Sequence, residues 1–274
     1  MNMYRRGGIF SSLPQVTRSL LIINIVVFVA TALLQKATVL PYYLRLYNFQ
    51  SEFFRPYQLV THMFMHGGFM HLFMNMFGLF MFGRVLENVW GSRRFFILYM
   101  LAGLGAAFLQ LGINYLSLDV MQNALDAFHL SPSPEGFWKI VQKYKYASSN
   151  EAKFIAERWF ENPDNTSYFQ QAWNELLLIK TRIINIPMVG ASGALMGILA
   201  SFVVLYPNVE LMIIPIPIPI KAKYLIGGFL VYDLASGFVN ISGGSNIAHF
   251  AHLGGALVGF ILVKIWKNNQ FKMY

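Results

Sequence analysis

Ile183–Val209 reads IINIPMVGASGALMGILASFVVLYPNV and contains no charged residue. A helix needs about 20 mostly apolar residues to cross the hydrocarbon core of a bilayer. This stretch supplies one such span at roughly 186–206. Further apolar stretches lie at roughly 19–35, 62–83, 95–115, 224–241 and 247–264. The 274 residues are 56% hydrophobic and only 12% charged, with a mean hydropathy of +0.48. A soluble domain carries roughly a quarter charged residues. The expected fold class is therefore all-α, a polytopic membrane protein with six transmembrane helices.

A net charge of +9 would suit a nucleic-acid partner, but the placement of the charges argues otherwise. Arg5, Arg6 and Arg18 precede the first span. Arg84, Arg93 and Arg94 lie between the second and third, and Lys221 and Lys223 between the fourth and fifth. Lys264, Lys267 and Lys272 close the chain. By the positive-inside rule these segments are cytoplasmic, so both termini face the cytoplasm. The partner of the positive charge is a lipid bilayer with anionic head groups, not nucleic acid. A bacterial cytoplasmic membrane is expected. Ala30-Thr31-Ala32 resembles a signal-peptide cleavage site, yet the apolar run before it exceeds the usual 7–15 residues, roughly, of a signal. The chain has no cysteine, which excludes disulfides and thiolate metal sites.

The expected organisation is a cytoplasmic segment 1–18, three spans within 19–116 with an outer loop 36–61, an extracytoplasmic insert 117–182, three spans within 183–265 and a tail 266–274. The outer loop mixes aromatic residues with Arg45, Glu52 and Arg55, which predicts an amphipathic helix lying in the interface. The insert carries 8 acidic and 7 basic residues. Pro132, Pro134 and Pro163-Asp164-Asn165 mark turns in it. Phe137, Ile140, Val141 and Tyr144 have helical spacing, so three or four short helices are expected there. PIPIPI at Pro215–Ile220 cannot be helix interior and fits a cytoplasmic turn. Asn240–Asn246, rich in Gly and Ser, suits a mobile outer loop.

Polar groups inside spans are expensive and commonly mark function or pair with one another. Ser192 falls about six residues into the fourth span, on the order of 10 Å below the outer surface. His252 falls about six residues into the sixth, which runs in the same direction. Gly193 and Gly197 are four apart, as are Gly255 and Gly259. Such pairs let two backbones approach closely in a membrane, which would make Ser192 and His252 neighbours. A serine is a weak nucleophile until a base takes its proton. His71 and Asn75, four apart on the second span, share a helix face and can donate hydrogen bonds to a carbonyl oxygen as it becomes negative. Asp233 counts to mid-membrane, deeper than His252, so a Ser–His dyad is expected rather than a triad. The bland readings stand beside these. A serine in a small-residue face is ordinarily packing. His62, His66, His249 and Asp233 read as interhelical hydrogen-bond partners.

These residues resemble the rhomboid intramembrane serine proteases. Gly190-Ala191-Ser192-Gly193 with Gly197 is similar to the family's nucleophile motif. Ala251-His252-Leu253-Gly254-Gly255 with Gly259 resembles its base motif, which selects His252 over His249. His71-Leu72-Phe73-Met74-Asn75 resembles its oxyanion motif. Phe54-Arg55 is similar to a Trp-Arg pair of the first outer loop, and Glu87 with Gly91-Ser92 to the connection after the second span. The resemblance covers roughly residues 50–265 apart from the insert. Two departures stand out. Met196 occupies a position that is often aromatic and stacked on the base, where a thioether can still pack against a ring. The insert occupies a loop that is commonly short.

The resemblance implies peptide-bond hydrolysis in or next to transmembrane segments of membrane proteins, with no cofactor and no metal. Ser192 and His252 would be the catalytic pair. The Ser192 backbone N–H, His71 and Asn75 would hold the oxyanion. Gly190, Gly193, Gly255, Gly259, Met196 and Arg55 would support the site, and the Gly243-Gly244 loop would act as a lid. An inactive relative that binds transmembrane helices is the alternative. A zinc protease needs an HExxH helix, which the sequence lacks. An aspartyl mechanism needs a second acid beside Asp233. A transporter would show repeated halves.

Overall fold

The computed structural model describes residues 12–34, 37–144, 148–213, 216–239 and 249–271. It is a helical bundle. Gln15–Leu34, Phe69–Leu130 and His249–Lys267 are long and apolar enough to cross a membrane, and Ser192–Leu205 is a shorter apolar helix. The first, α1 (Gln15–Leu34), buries only Thr17, Leu20, Leu21 and Asn24. Ile22, Val26, Val29 and Leu33 are exposed on its other side. A helix that is apolar all round suits a lipid surround.

The outer loop departs from the expected interface helix. It forms two single turns, α2 (Leu40–Tyr43) and α3 (Gln58–Thr61), joined by irregular backbone. Gln58 holds the loop together. Its Nε2 donates to the carbonyls of Tyr43 and Phe53, both at 2.9 Å, and its Oε1 accepts from the Arg55 N–H at 3.1 Å. A fully buried amide with donor and acceptor both used replaces the regular hydrogen bonds a helix would have made.

The expected second span is broken too. A tight turn at His62–Phe64 ends the first piece, and α4 begins only at Phe69 (Phe69–Gly78). A widened turn, Leu79–Gly83, leads into α5 (Arg84–Leu130). Within α5 the backbone leaves helical geometry at Gly91, with φ 76° and ψ 164°, a conformation that glycine adopts readily. The chain doubles back there: a Cβ on Gly103 would lie 2.0 Å from Met63 Cε. Glu87 fastens this turn to α1. Its carboxylate accepts from the Val16 and Thr17 N–H groups at 2.8 and 2.7 Å, from the Thr17 hydroxyl at 2.7 Å and from the Ser92 hydroxyl at 2.6 Å. Two otherwise unpaired amides in the first turn of α1 are thereby satisfied from another element.

From Gly91 to Leu130 α5 runs roughly 58 Å, about twice a hydrocarbon core. It passes unbroken through residue 117, where the composition changes. Its far end packs against α6 (Pro134–Lys143), α7 (Asn150–Glu161) and α8 (Ser167–Ile184) around a separate core of Leu125, Phe128, Phe137, Trp159, Leu176 and Ile179. Ser133 and Ser149 cap α6 and α7, as Ser does at helix starts.

The centre of the bundle is α9 (Ser192–Leu205), buried from Gly193 through Ile198, flanked by α5 and α11 (His249–Phe271). Leu79, Leu86, Phe95, Leu98, Ala194, Ile198 and Val263 form the main core. Between α9 and α10 (Ala222–Val239) the chain makes an antiparallel hairpin, β1 (Glu210–Ile213) with β2 (Ile216–Lys221). The alternating Ile and Pro residues of β2 thus take extended geometry, since prolines lack the N–H that a helix interior needs.

Candidate active site

Ser192 is the first residue of α9, not a residue six positions inside a helix. The backbone from Ile186 to Gly190 is non-helical. Met188 pairs with Leu46 of the outer loop through two backbone hydrogen bonds, at 3.0 and 2.7 Å, and the Gly190 N–H donates to the His62 carbonyl at 2.9 Å. Irregular backbone at membrane depth is tolerated only where protein buries it or water reaches it. Here it lines a cavity of about 890 Å³, along with Ser192, His252, His71 and Asn75.

His252 lies on the first turn of α11. Ser192 Oγ and His252 Nε2 are 3.0 Å apart. The glycine faces set this approach. A Cβ on Gly255 would lie 1.9 Å from the Gly193 carbonyl oxygen, and one on Gly259 would lie 2.2 Å from the Gly197 carbonyl oxygen. On the third side, Cβ atoms on Gly193 and Gly197 would each lie 2.3 Å from an α5 alanine, Ala106 and Ala102. Backbones this close leave no room for any side chain.

Gly190 has φ +124°, and a Cβ there would meet His71 Nε2 at 2.7 Å. The absent side chain leaves His71 beside the non-helical segment before Ser192. The Gly67 N–H approaches His71 Nδ1 at 3.4 Å. With Nδ1 accepting, the neutral ring carries its proton on Nε2, the nitrogen turned toward Gly190. Asn75 lines the same cavity, and its Nδ2 donates to the His71 carbonyl at 2.9 Å. One amide hydrogen remains for another acceptor.

Two expectations are corrected. Asp233 is not deeper than His252: its Oδ2 lies 2.8 Å from His252 Nδ1, and its Oδ1 lies 2.7 Å from His249 Nδ1. An aromatic ring, that of Phe229 of α10, lies beside the base, 6.0 Å between centroids, and Met196 packs with Ala200, Ala256, Leu199 and Leu230 and lines the same cavity as His252. Arg55 is exposed in the outer loop, where its guanidinium donates to the carbonyls of Glu52 and Phe54. Sequence spacing carried one usable signal for the missed residues. Phe229 and Asp233 are four apart, and His249 and His252 three apart, so each pair shares a helix face. The lid expected at Gly243-Gly244 lies outside the described residues.

A scan against protein-family models matches the rhomboid domain over residues 54–121 and 154–268. The match covers most of the chain and both segments that carry the cavity. The chain belongs to the rhomboid family. No curated protein matches it. Rhomboids are generally intramembrane proteases, and the bundle here has the helical, polytopic membrane character of the family. Residues 122–153 of this rhomboid fall outside the match. They comprise the far end of α5, α6 and the start of α7.

Proposed function

We propose that this rhomboid is an active serine endopeptidase that cleaves peptide bonds in or next to transmembrane segments of membrane proteins. The observation that carries the reading is the 3.0 Å contact between Ser192 Oγ and His252 Nε2 at the wall of the cavity. That distance is within hydrogen-bond range and needs no rearrangement for proton transfer.

Ser192 Oγ attacks the scissile carbonyl carbon while its proton passes to His252 Nε2. The carbonyl oxygen becomes an oxyanion, which accepts from the Ser192 N–H at the start of α9 and from the Nε2–H of His71. Asn75 is the further donor through its remaining amide hydrogen. The C–N bond then breaks, and His252 gives its proton to the leaving amine. A water attacks the acyl-serine by the same route in reverse, releasing the carboxyl product. A substrate helix has its carbonyls paired within itself, so it unwinds locally to present one.

Six passes with both termini in the cytoplasm, in a bacterial inner membrane, are the topology we propose from the placement of basic residues. It puts the mouth of the cavity, Ile186, Met188 and the outer loop, on the extracytoplasmic side. The insert 117–182 belongs on that side as well.

The test is labelling of detergent-solubilised protein with a fluorophosphonate probe. Wild type is expected to label, and Ser192→Ala and His252→Ala are expected not to. Labelling that survives in Ser192→Ala would sink the assignment. Absent labelling of wild type, with retained binding of transmembrane peptides, would favour an inactive helix-binding relative.

A further inference from the structure

The two nitrogens of His252 are both engaged, and the residue on the far side is an acid. One turn of α10 supplies Phe229 and Asp233, and one turn of α11 supplies His249 and His252. Asp233 is 1% exposed and His249 4%. Both Asp233 oxygens meet an imidazole Nδ1, Oδ1 with His249 at 2.7 Å and Oδ2 with His252 at 2.8 Å. We infer that Asp233 is the positioning residue of His252, making the reacting group an Asp–His–Ser chain with His249 as a second clamp on the carboxylate. This rests on the proposed roles of Ser192 and His252.

An ionised carboxylate only accepts. Each histidine that meets it must therefore carry its proton on Nδ1. For a neutral His252 this leaves the Nε2 lone pair, 3.0 Å from Ser192 Oγ, as the base. The free ring could take either tautomer, and one of them has no lone pair facing the serine. Asp233 removes that choice and stabilises the imidazolium formed when the proton arrives, as the acid of a serine-protease triad does. A buried carboxylate with one partner would leave an oxygen unpaired, which is costly. His249 occupies that oxygen, and its ring rests edge-on against Tyr232, 6.3 Å between centroids. Phe229 fixes the face of His252. The other ionisable ring facing His252 is His71, across the cavity.

The experiment uses the full chain in detergent and resolves fluorophosphonate labelling into kinact and KI. In Asp233→Asn the side chain offers one oxygen and one amide, so only one of the two histidines keeps its Nδ1–H partner. We expect kinact to fall by about 10²-fold or more while KI stays within about twofold. A residue that merely supports the fold would lower thermal stability or raise KI instead. Independently, the ¹⁵N spectrum of the histidine-labelled wild-type chain, assigned with His252→Gln, is expected to show His252 protonated on Nδ1 only at neutral pH. The inference is overturned by a folded Asp233→Asn with kinact within about threefold of wild type, by a change confined to KI, or by an Nε2–H tautomer. If Asp233→Asn does not fold, the tautomer decides. Labelling that persists in Ser192→Ala overturns the nucleophile itself. Labelling that needs Ser192 but ignores Asp233 overturns only the positioning role.

Discussion

Gly255→Ala adds a single methyl group, and the structure says where it goes. The new Cβ would lie 1.9 Å from the Gly193 carbonyl oxygen and 2.7 Å from its carbonyl carbon. Both are backbone atoms of a central helix, so no side chain can swing aside. Real Cβ atoms essentially never come within 3.0 Å of another heavy atom, so α9 and α11 must part by at least about 1.1 Å at this level. Overpacking of this kind costs about 1–3 kcal/mol of stability. The effect on chemistry is larger, because Gly193 adjoins Ser192 and Gly255 lies one turn from His252. Carried to the Ser192–His252 contact, the shift lengthens 3.0 Å to roughly 4 Å, beyond hydrogen bonding. A displacement of about 1 Å in a reacting pair costs on the order of 10²-fold in rate. The assay is the rate of fluorophosphonate labelling, read beside the thermal unfolding midpoint in detergent. Gly112→Ala on α5 is the control, since a Cβ there meets nothing within 4 Å. Gly255→Ala labelling at the rate of that control would refute the claim that the glycine faces set the distance between serine and base.

Glu87→Gln replaces an acceptor-only group on which four donors converge. The amide leaves one or two buried donors unmatched, so thermal or urea unfolding should register a loss of about 2–4 kcal/mol. A change under about 0.5 kcal/mol would show that the fastening of α1 contributes little. Phe229→Ala removes the ring beside His252, and labelling should slow roughly fivefold, matching about 1 kcal/mol of aromatic contact. An unchanged rate would leave ring orientation to Asp233 alone. The Lys180 ammonium hydrogen-bonds to the Gln122 side chain, so the two ends of the insert are adjacent. Replacing residues 123–179 with a short Gly-Ser linker should preserve Ser192 labelling while altering the cleavage of protein substrates. Loss of labelling in a chain that still folds would instead make the insert part of the site's framework.

The sequence by itself determined the membrane character, the helical class and the two glycine pairs that bring Ser192 and His252 together. Those properties follow from local composition and from the 3.6-residue period, which any helix must respect. Depth does not follow from them. Counting about 1.5 Å per residue from an assumed membrane surface supposes that spans begin at a common plane as unbroken helices. Here the backbone from Ile186 to Gly190 is non-helical, α4 starts only at Phe69, and His249 of α11 lies level with Asp233 of α10. Matching counts of six for Ser192 and His252 therefore led to two residues that touch, although Ser192 opens its helix rather than lying inside it. The same ruler misplaced Asp233. Only the packing of α10 against α11 decided that the acid meets both histidines, and that Phe229 stands beside the base. Such contacts depend on how far each helix slides along its neighbour, and that is set by side-chain fit across the whole interface rather than by any segment of the chain.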